Sequence, residues 1–139
     1  MSDNLSIRPV GTVRRKDDLT AVLEIDGLFQ DATLELSPDD RLDVSYWMHE
    51  LPSAERNTQQ VHPRGDQSKP LRGVFGVRSP MRPNPIGVTT VSVESVDGLK
   101  ITVCGLDAFD GAPIVDIKAA REPQGLSEVI AAWGRVHEA

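Results

Sequence analysis

Short stretches in which every second residue is apolar recur along this chain, and they restrict its fold more than any other feature. Successive side chains of a β-strand point to opposite faces, so this alternation predicts strands with one buried face. The clearest stretches are residues 19–25 and 32–36, on either side of the turn-forming pair Asp26 and Gly27. We expect these two stretches to be neighbouring strands.

Residue composition predicts further strands. Residues 43–48 contain Tyr46 and Trp47, and residues 88–96 are rich in valine and threonine, which favour strands. Asp97 and Gly98 separate the second segment from the alternating residues 99–103, and Asp-Gly is typical of a two-residue hairpin turn.

A last strand is predicted over residues 114–119. Strand alternation would place Val115, Ile117 and Ala119 on one face, and Ile114, Asp116 and Lys118 on the other.

Other parts of the chain differ from the strand pattern. Residues 51–72 are polar, contain prolines and lack a period, so they are predicted to form a long loop. Leu126, Val129, Ile130 and Trp133 fall at helical spacing. We therefore predict one domain over residues 1–139, with a mainly β fold built as a small β-barrel and one short C-terminal helix.

Composition bears on location and redox state. The N-terminal residues contain no apolar stretch of signal-peptide length, and no run reaches the roughly 20 apolar residues of a membrane span. A cytoplasmic location without membrane contact is expected. The single cysteine, Cys104, lies in an apolar alternation, so we expect a packed or partly packed thiol.

The charge is unevenly distributed. Fifteen Lys and Arg against 21 Asp and Glu give a net charge of −6, which argues against indiscriminate nucleic-acid binding by the whole surface. Between residues 56 and 82, however, Asp66 is the one acidic residue among six basic ones. This composition is compatible with a local basic surface or with a solvated loop. The basic residues are Arg56, Arg64, Lys69, Arg72, Arg78 and Arg82.

Several common sites are excluded by their missing motifs. The chain has no glycine-rich dinucleotide motif, no P-loop and no G-x-S-x-G nucleophile elbow. His49, His62 and His137 lie far apart in sequence without paired cysteines, so no metal site is expected.

A proline-rich segment is the first candidate for chemistry. Residues 73–87 read GVFGVRSPMRPNPIG, and each proline fixes its own φ and favours an extended conformation in the residue before it. The resulting stiff loop would hold Arg78, Ser79 and Asn84 in place before a ligand arrives. The alternative is a connector with solvent-facing arginines.

The second candidate segment, residues 105–118, reads GLDAFDGAPIVDIK. Asp107, Asp110 and Gly111 predict a turn before the strand that carries Asp116 and Lys118. Carboxylates at a turn can accept hydrogen bonds from a ligand, but they can equally cap the turn itself.

Together, the segments RSPMRPNPIG and DAFDGAPIVDIK resemble the two signature segments of the TrmO family, also described as the TsaA-like domain. The similarity covers most of the chain, from IRPVGTV through DVSYWMHE to Lys118. It implies a β-barrel that binds S-adenosylmethionine, a homodimer with sites near the subunit interface, and methyl transfer to N6 of threonylcarbamoyladenosine in tRNA. It implies cofactor contacts at His49, Arg78, Val88, Ala108, Phe109, Asp110 and Gly111, supported by Ser79, Asn84, Asp116 and Lys118.

The sequence departs from the family pattern in two places. Bacterial members carry a proline-arginine-glutamine cofactor segment after the first strand, where this chain has Arg14, Arg15, Lys16 and Asp17. Part of the cofactor wall is therefore expected to be missing or rebuilt. Larger members also have a C-terminal domain, and this sequence ends soon after Lys118, which leaves tRNA recognition open.

Two other functions remain open, namely methylation of a small molecule and non-catalytic binding of S-adenosylmethionine. The acidic overall charge favours these alternatives, whereas the basic segment favours RNA. His49 and Asp116 are the candidates for a catalytic base. If tRNA is the substrate, phosphate contacts are expected at Arg56, Arg64, Lys69 and Arg72.

Overall fold

A computed structural model of the protein describes residues 4–121 and 133–134. The described residues contain four short 3₁₀ segments, Gly27–Thr33, Ser53–Asn57, Pro63–Gly65 and Val74–Gly76. They also contain eight strands, β1 (Gly11–Arg15), β2 (Thr20–Ile25), β3 (Arg41–Trp47), β4 (Gln60–Val61), β5 (Arg72–Gly73), β6 (Ile86–Asp97), β7 (Lys100–Cys104) and β8 (Pro113–Ala119). The helix predicted around Leu126–Trp133 lies outside the described residues except for Trp133.

Six of these strands form one antiparallel sheet that closes on itself in the order β1-β2-β7-β6-β3-β8. The ring closes through β1 and β8, where Gly11 pairs with Ile114 and Thr12 with Pro113. A closed sheet has no unpaired edge strand. The prediction of a mainly β, barrel-like fold is confirmed.

The core lies inside the ring and is built by the predicted alternation. In β2, Ala21, Leu23 and Ile25 point inwards and are buried. Val13, Val44, Ile101 and Val103 from other strands are fully enclosed with them. Cys104 is partly buried, as expected.

The strand predicted over residues 32–36 is wrong. Asp26 instead caps a 3₁₀ segment by accepting a hydrogen bond from the Leu28 backbone N–H at 2.9 Å. Glu35 then adopts a positive φ of 64°, which ends any extended path. Leu34 is 83% exposed, and Leu36 is partly buried against the core. The apolar alternation of residues 32–36 therefore does not mark a strand with one buried face.

The predicted hairpin exists, but its turn is shifted by one residue. Asp97 pairs with Lys100, so the two turn residues are Gly98 and Leu99. Gly98 takes a φ of 60° at the first turn position, where glycine avoids a steric cost.

The faces predicted for the last strand are also wrong. Ser45 pairs with Asp116, but Tyr46 pairs with Ile114, so Val115 is an extra residue at a bulge. A bulge reverses the alternation on either side of it. As a result Ile114 is fully buried, and Ile117 also packs against the core.

The predicted loop over 51–72 is largely irregular, but it contains a small structure of its own. Gln60 and Val61 of β4 pair with Gly73 and Arg72 of β5. Val61 of this ribbon and Val74, which directly follows it, are buried. Among the described residues, no helix is long and apolar enough to cross a membrane.

A tyrosine ring and a glycine lie in close contact at the end of the ring where β3 meets β6. Gly87 pairs with Tyr46, and the phenol ring lies over the glycine Cα. A Cβ at position 87 would stand 2.4 Å from the Tyr46 Cζ atom. Only glycine therefore leaves room for the ring in this position.

We predict that Gly87→Ala destabilises the fold by about 1–3 kcal/mol, because the methyl group forces the Tyr46 ring to move. Thermal and denaturant unfolding measure the change. Gly73→Ala is the matched control, since its Cβ would have no atom closer than 4.0 Å and its φ is −63°. Equal stability of the two variants would contradict the steric argument.

Candidate functional site

A cleft of about 1020 Å³ opens at the end of the ring where β3 ends and β6 begins. Tyr46 and Gly87 lie among its lining residues, the proline-rich loop contributes Arg78 and Pro80, and the segment before β8 contributes Asp107. Three apolar residues that line it are exposed, namely Phe75 (88%), Phe109 (63%) and Val88 (43%). The cleft thus combines apolar surfaces with charged groups, as small-molecule sites do.

Arg82 holds the proline-rich loop together from within. Its Nε atom donates to the Ser79 carbonyl at 2.8 Å, and Nη2 donates to the carbonyls of Val77, at 2.6 Å, and Val74. These bonds satisfy three backbone carbonyls that lie outside the six-stranded sheet. Arg82 is therefore a scaffold residue.

Arg56 anchors the other end of the same loop. It donates to the Pro83 carbonyl at 2.7 Å and to Asn84 Oδ1 at 3.3 Å, and its guanidinium lies 5.2 Å from the centre of the Trp47 ring. Cation–π contact and hydrogen bonds together fix this side chain. Arg56 and Arg82, two of the six residues of the predicted basic surface, thus hold the loop in shape.

Arg78 lines the cleft, as Arg82 does, but unlike Arg82 it is exposed. Its Nη2 atom donates to the Val88 carbonyl at 2.6 Å, which ties the start of the loop to β6. The guanidinium carries further donors besides this one. Arg78 is exposed, so its remaining donors can meet a ligand.

The opposite wall is held by Arg15, one of the residues in the departure from the family pattern. Its guanidinium donates to the carbonyls of Leu106 and, at 3.3 Å, Ala108, while its backbone N–H donates to Asp110 Oδ1 at 2.9 Å. The side chain of Asp110 therefore fixes the turn to β1.

Asp107 and Tyr46 form a hydrogen-bonded group on the cleft surface. The Tyr46 hydroxyl and the Thr89 hydroxyl both donate to Asp107 Oδ1, each at 2.6 Å. Partial burial acts to raise the pKa of Asp107, but the hydrogen bonds from Thr89 and Tyr46, with the charge of Arg78, hold that pKa below its ordinary value of 3.8. Burial, then the bond to Asp107, raises the pKa of Tyr46 above 10.0.

The structure gathers five of the seven predicted cofactor residues around the cleft, namely His49, Arg78, Val88, Ala108 and Phe109. Asp110 and Gly111 are not among the lining residues. Gly111 nevertheless lies beside His49, since its Cβ would be 3.7 Å from Nε2.

The four supporting residues are not among those that line the cleft. Ser79 Oγ accepts a hydrogen bond from the Met81 N–H at 3.2 Å, and Asn84 is bound by Arg56, so both serve the loop. Asp116 and Lys118 form a 4.0 Å ion pair beside a second cavity of about 420 Å³, which Leu42 and Ala119 also line. Neither Asp116 nor Lys118 lines the cleft, whereas His49, the other candidate base, does.

Sequence reasoning does not identify Tyr46 as a site residue, and it names Asp107 only as a turn carboxylate that could either accept from a ligand or cap the turn. Tyr46 belongs to a predicted core strand and is 6% exposed, and Asp107 belongs to a predicted turn. Their 61-residue separation gives no local signal, because the register of β3 with β6 and the path of residues 105–112 bring them together.

Among residues 4–121 and 133–134, no group of three or more metal-binding side chains is present.

The fold and the site together define the class of this protein. It is a closed antiparallel sheet with a cleft between a proline-rich loop and a segment that carries aspartates. The chain matches the family of tRNA-methyltransferase O N-terminal domains over residues 11–122. It belongs to this family.

The chain is similar to individual proteins and to solved structures. A probable S-adenosyl-L-methionine-binding protein of Methanocaldococcus jannaschii is 41% identical over 117 residues, which cover 84% of this chain and 92% of the relative. A tRNA (adenine(37)-N6)-methyltransferase of the mouse is 50% identical over 46 residues, or 33% of this chain and 11% of that protein. The crystal structure of TrmO from Pseudomonas aeruginosa has a TM-score of 0.64 at 22% identity, covering 86% of this chain and 57% of that one.

Proposed function

We propose that this protein binds S-adenosylmethionine in the cleft and transfers its methyl group to an adenosine derivative in tRNA. The observation that carries the proposal is the convergence of His49, Arg78, Val88, Ala108 and Phe109 on one cleft. These are the residues at which the family motif implies cofactor contacts. Relatives that align with most of this chain are named as S-adenosylmethionine-binding proteins.

The chemistry of the cleft fits such a cofactor. S-adenosylmethionine has an aromatic base, hydroxyl and ammonium donors, and a carboxylate. Phe109 and Val88 offer apolar surface, Asp107 can accept from donors, and the guanidinium of Arg78 can pair with a carboxylate. The cofactor supplies an activated methyl group on a sulfonium, and its displacement needs no metal.

The protein's contribution to the reaction is positioning. Holding two reactants in line can lower a barrier by as much as about 7–11 kcal/mol. The walls suit this task because Arg82, Arg56 and Arg15 fix them before any ligand binds. His49 lines the cleft and is the candidate to accept a proton from the methylated nitrogen.

For the acceptor, the finer proposal is N6 of threonylcarbamoyladenosine. The mouse relative is named for methylation of an adenine in tRNA at the corresponding nitrogen, and Arg64, Lys69 and Arg72 are exposed near the cleft loop. The alternative is S-adenosylmethionine binding alone or methylation of a small molecule. The names of the longer-matching relatives, which specify binding and no acceptor, favour that alternative.

We also propose that the chain forms a homodimer. Phe75 and Phe109 leave large apolar surfaces exposed at the rim of the cleft, and a second subunit would cover them. Light scattering at micromolar concentration should give twice the mass of one chain. A monomer mass over the whole concentration range would rule the dimer out.

Arg78→Ala should weaken S-adenosylmethionine binding by about 1.5–3 kcal/mol, or tenfold to more than a hundredfold, because a charge-assisted hydrogen bond is removed. Arg78→Lys should restore it only in part, since lysine lacks the planar fork. Titration calorimetry measures affinity, and Arg14→Ala, outside the cleft lining, is the control.

Thermal melts separate a ligand contact from a brace. Removing the bond to Val88 should cost Arg78→Ala no more than about 1.5 kcal/mol. Arg82→Ala, which removes three loop bonds, should be destabilised more. Undiminished affinity of Arg78→Ala would refute its ligand role, and a decrease in stability equal to that of Arg82→Ala would assign Arg78 to the scaffold.

The acceptor is tested with tRNA that carries threonylcarbamoyladenosine. Methyl transfer is expected, with binding that weakens steeply as salt rises. Replacing Arg64, Lys69 and Arg72 by alanine should reduce the slope of log binding constant against log salt concentration. The expected reduction is about one for each phosphate that is no longer neutralised. Binding without turnover, or no binding at low salt, would move the assignment to the alternative function.

A further inference from the structure

We propose that Asp107 is a cofactor-binding residue whose carboxylate accepts a hydrogen bond from a hydroxyl or ammonium group of S-adenosylmethionine, and that Tyr46 and Thr89 are its positioning residues. The inference rests on the proposed function of the cleft. It adds a ligand contact outside the residues that the family motif implies.

The chain path aims Asp107 at the cleft. Its neighbours Leu106 and Ala108 are only 1% and 3% exposed, whereas Asp107 is exposed where it lines the cleft. Arg15 binds the carbonyls of those same two neighbours. The backbone on both sides of Asp107 is thus fixed before a ligand arrives.

The carboxylate itself is oriented asymmetrically. Tyr46 and Thr89 both donate to Oδ1 at 2.6 Å. No side chain among residues 4–121 and 133–134 donates to Oδ2. An ionised carboxylate only accepts hydrogen bonds, so a ligand that meets Oδ2 must bring an O–H or N–H group.

The protonation state agrees with a binding role. The two hydroxyl donors and the nearby charge of Arg78 keep the pKa of Asp107 below its ordinary value despite partial burial. A carboxylate with a lowered pKa is a weaker base, so it is suited to hold a donor rather than to remove a proton. Tyr46, whose pKa is raised, stays protonated and keeps donating.

A similar threonine–aspartate pair, which joins β6 to β3, supplies a matched control. Thr90 donates to Asp43 Oδ1 at 2.6 Å, the same distance as in the Thr89–Asp107 pair. Neither Asp43 nor Thr90 lines the cleft. Thr90→Val therefore removes the same kind of bond, and Asp43→Asn makes the same change of charge and acceptor, without touching the proposed site.

The first experiment is titration calorimetry of the full chain with S-adenosylmethionine at pH 7. Asp107→Asn should weaken binding roughly 10- to 150-fold, whereas Asp43→Asn should bind like the unaltered protein. Unchanged affinity in Asp107→Asn would overturn the inference and leave the proposed function intact. Failure of the unaltered protein to bind would instead refute the proposed function.

The second experiment keeps Asp107 and removes one of its donors. Thr89→Val should raise the pKa of Asp107, so affinity should fall towards acid pH more steeply than in the unaltered protein or Thr90→Val. Removal of a structural bond alone would not create this pH dependence. If Thr89→Val folds and its affinity follows the same pH profile as Thr90→Val, the positioning role is wrong.

A truncated ligand identifies the donor. 5′-Methylthioadenosine keeps the ribose hydroxyls and lacks the ammonium group. If Asp107→Asn weakens its binding as much as that of S-adenosylmethionine, Oδ2 meets a ribose hydroxyl. If only S-adenosylmethionine is affected, Oδ2 meets the ammonium group, and an effect on neither ligand overturns the proposal.

Discussion

The contact between Tyr46 and Gly87 is the constraint on which the site depends. The ring fills the end of the enclosed core only because position 87 has no Cβ. From there the hydroxyl reaches Asp107, which is separated from it by 61 residues, and Thr89 completes the group. One side chain thereby links the packing of the sheet to the polar surface of the cleft.

Arginine side chains supply the stiffness that prolines alone could not. Arg82, Arg56 and Arg15 donate to backbone carbonyls of the two segments that flank the cleft. Buried or half-buried carbonyls without partners are costly, so these bonds favour a single loop conformation. Arg15, in the stretch where the sequence departs from the family pattern, holds the opposite wall through the carbonyls of Leu106 and Ala108.

Local patterns predict most of the sheet and part of the site. The alternation in β2 and the β-branched residues of β6 are reliable because each strand buries one face. The same rule fails at residues 32–36 and in β8, where a 3₁₀ segment and a bulge at Val115 break the period. The motif resemblance points to the cleft, but it cannot separate cleft-lining Arg78 from loop-bracing Asn84, since that depends on tertiary contacts.

We propose that the cleft, and not the cavity beside Asp116 and Lys118, holds the cofactor. A crystal structure of the protein with S-adenosylhomocysteine, the product of methyl transfer, tests this most directly. We expect the product to lie between the proline-rich loop and residues 105–112, within hydrogen-bonding distance of Arg78 and Asp107. Density for the product in the second cavity, or contact with neither side chain, would contradict it.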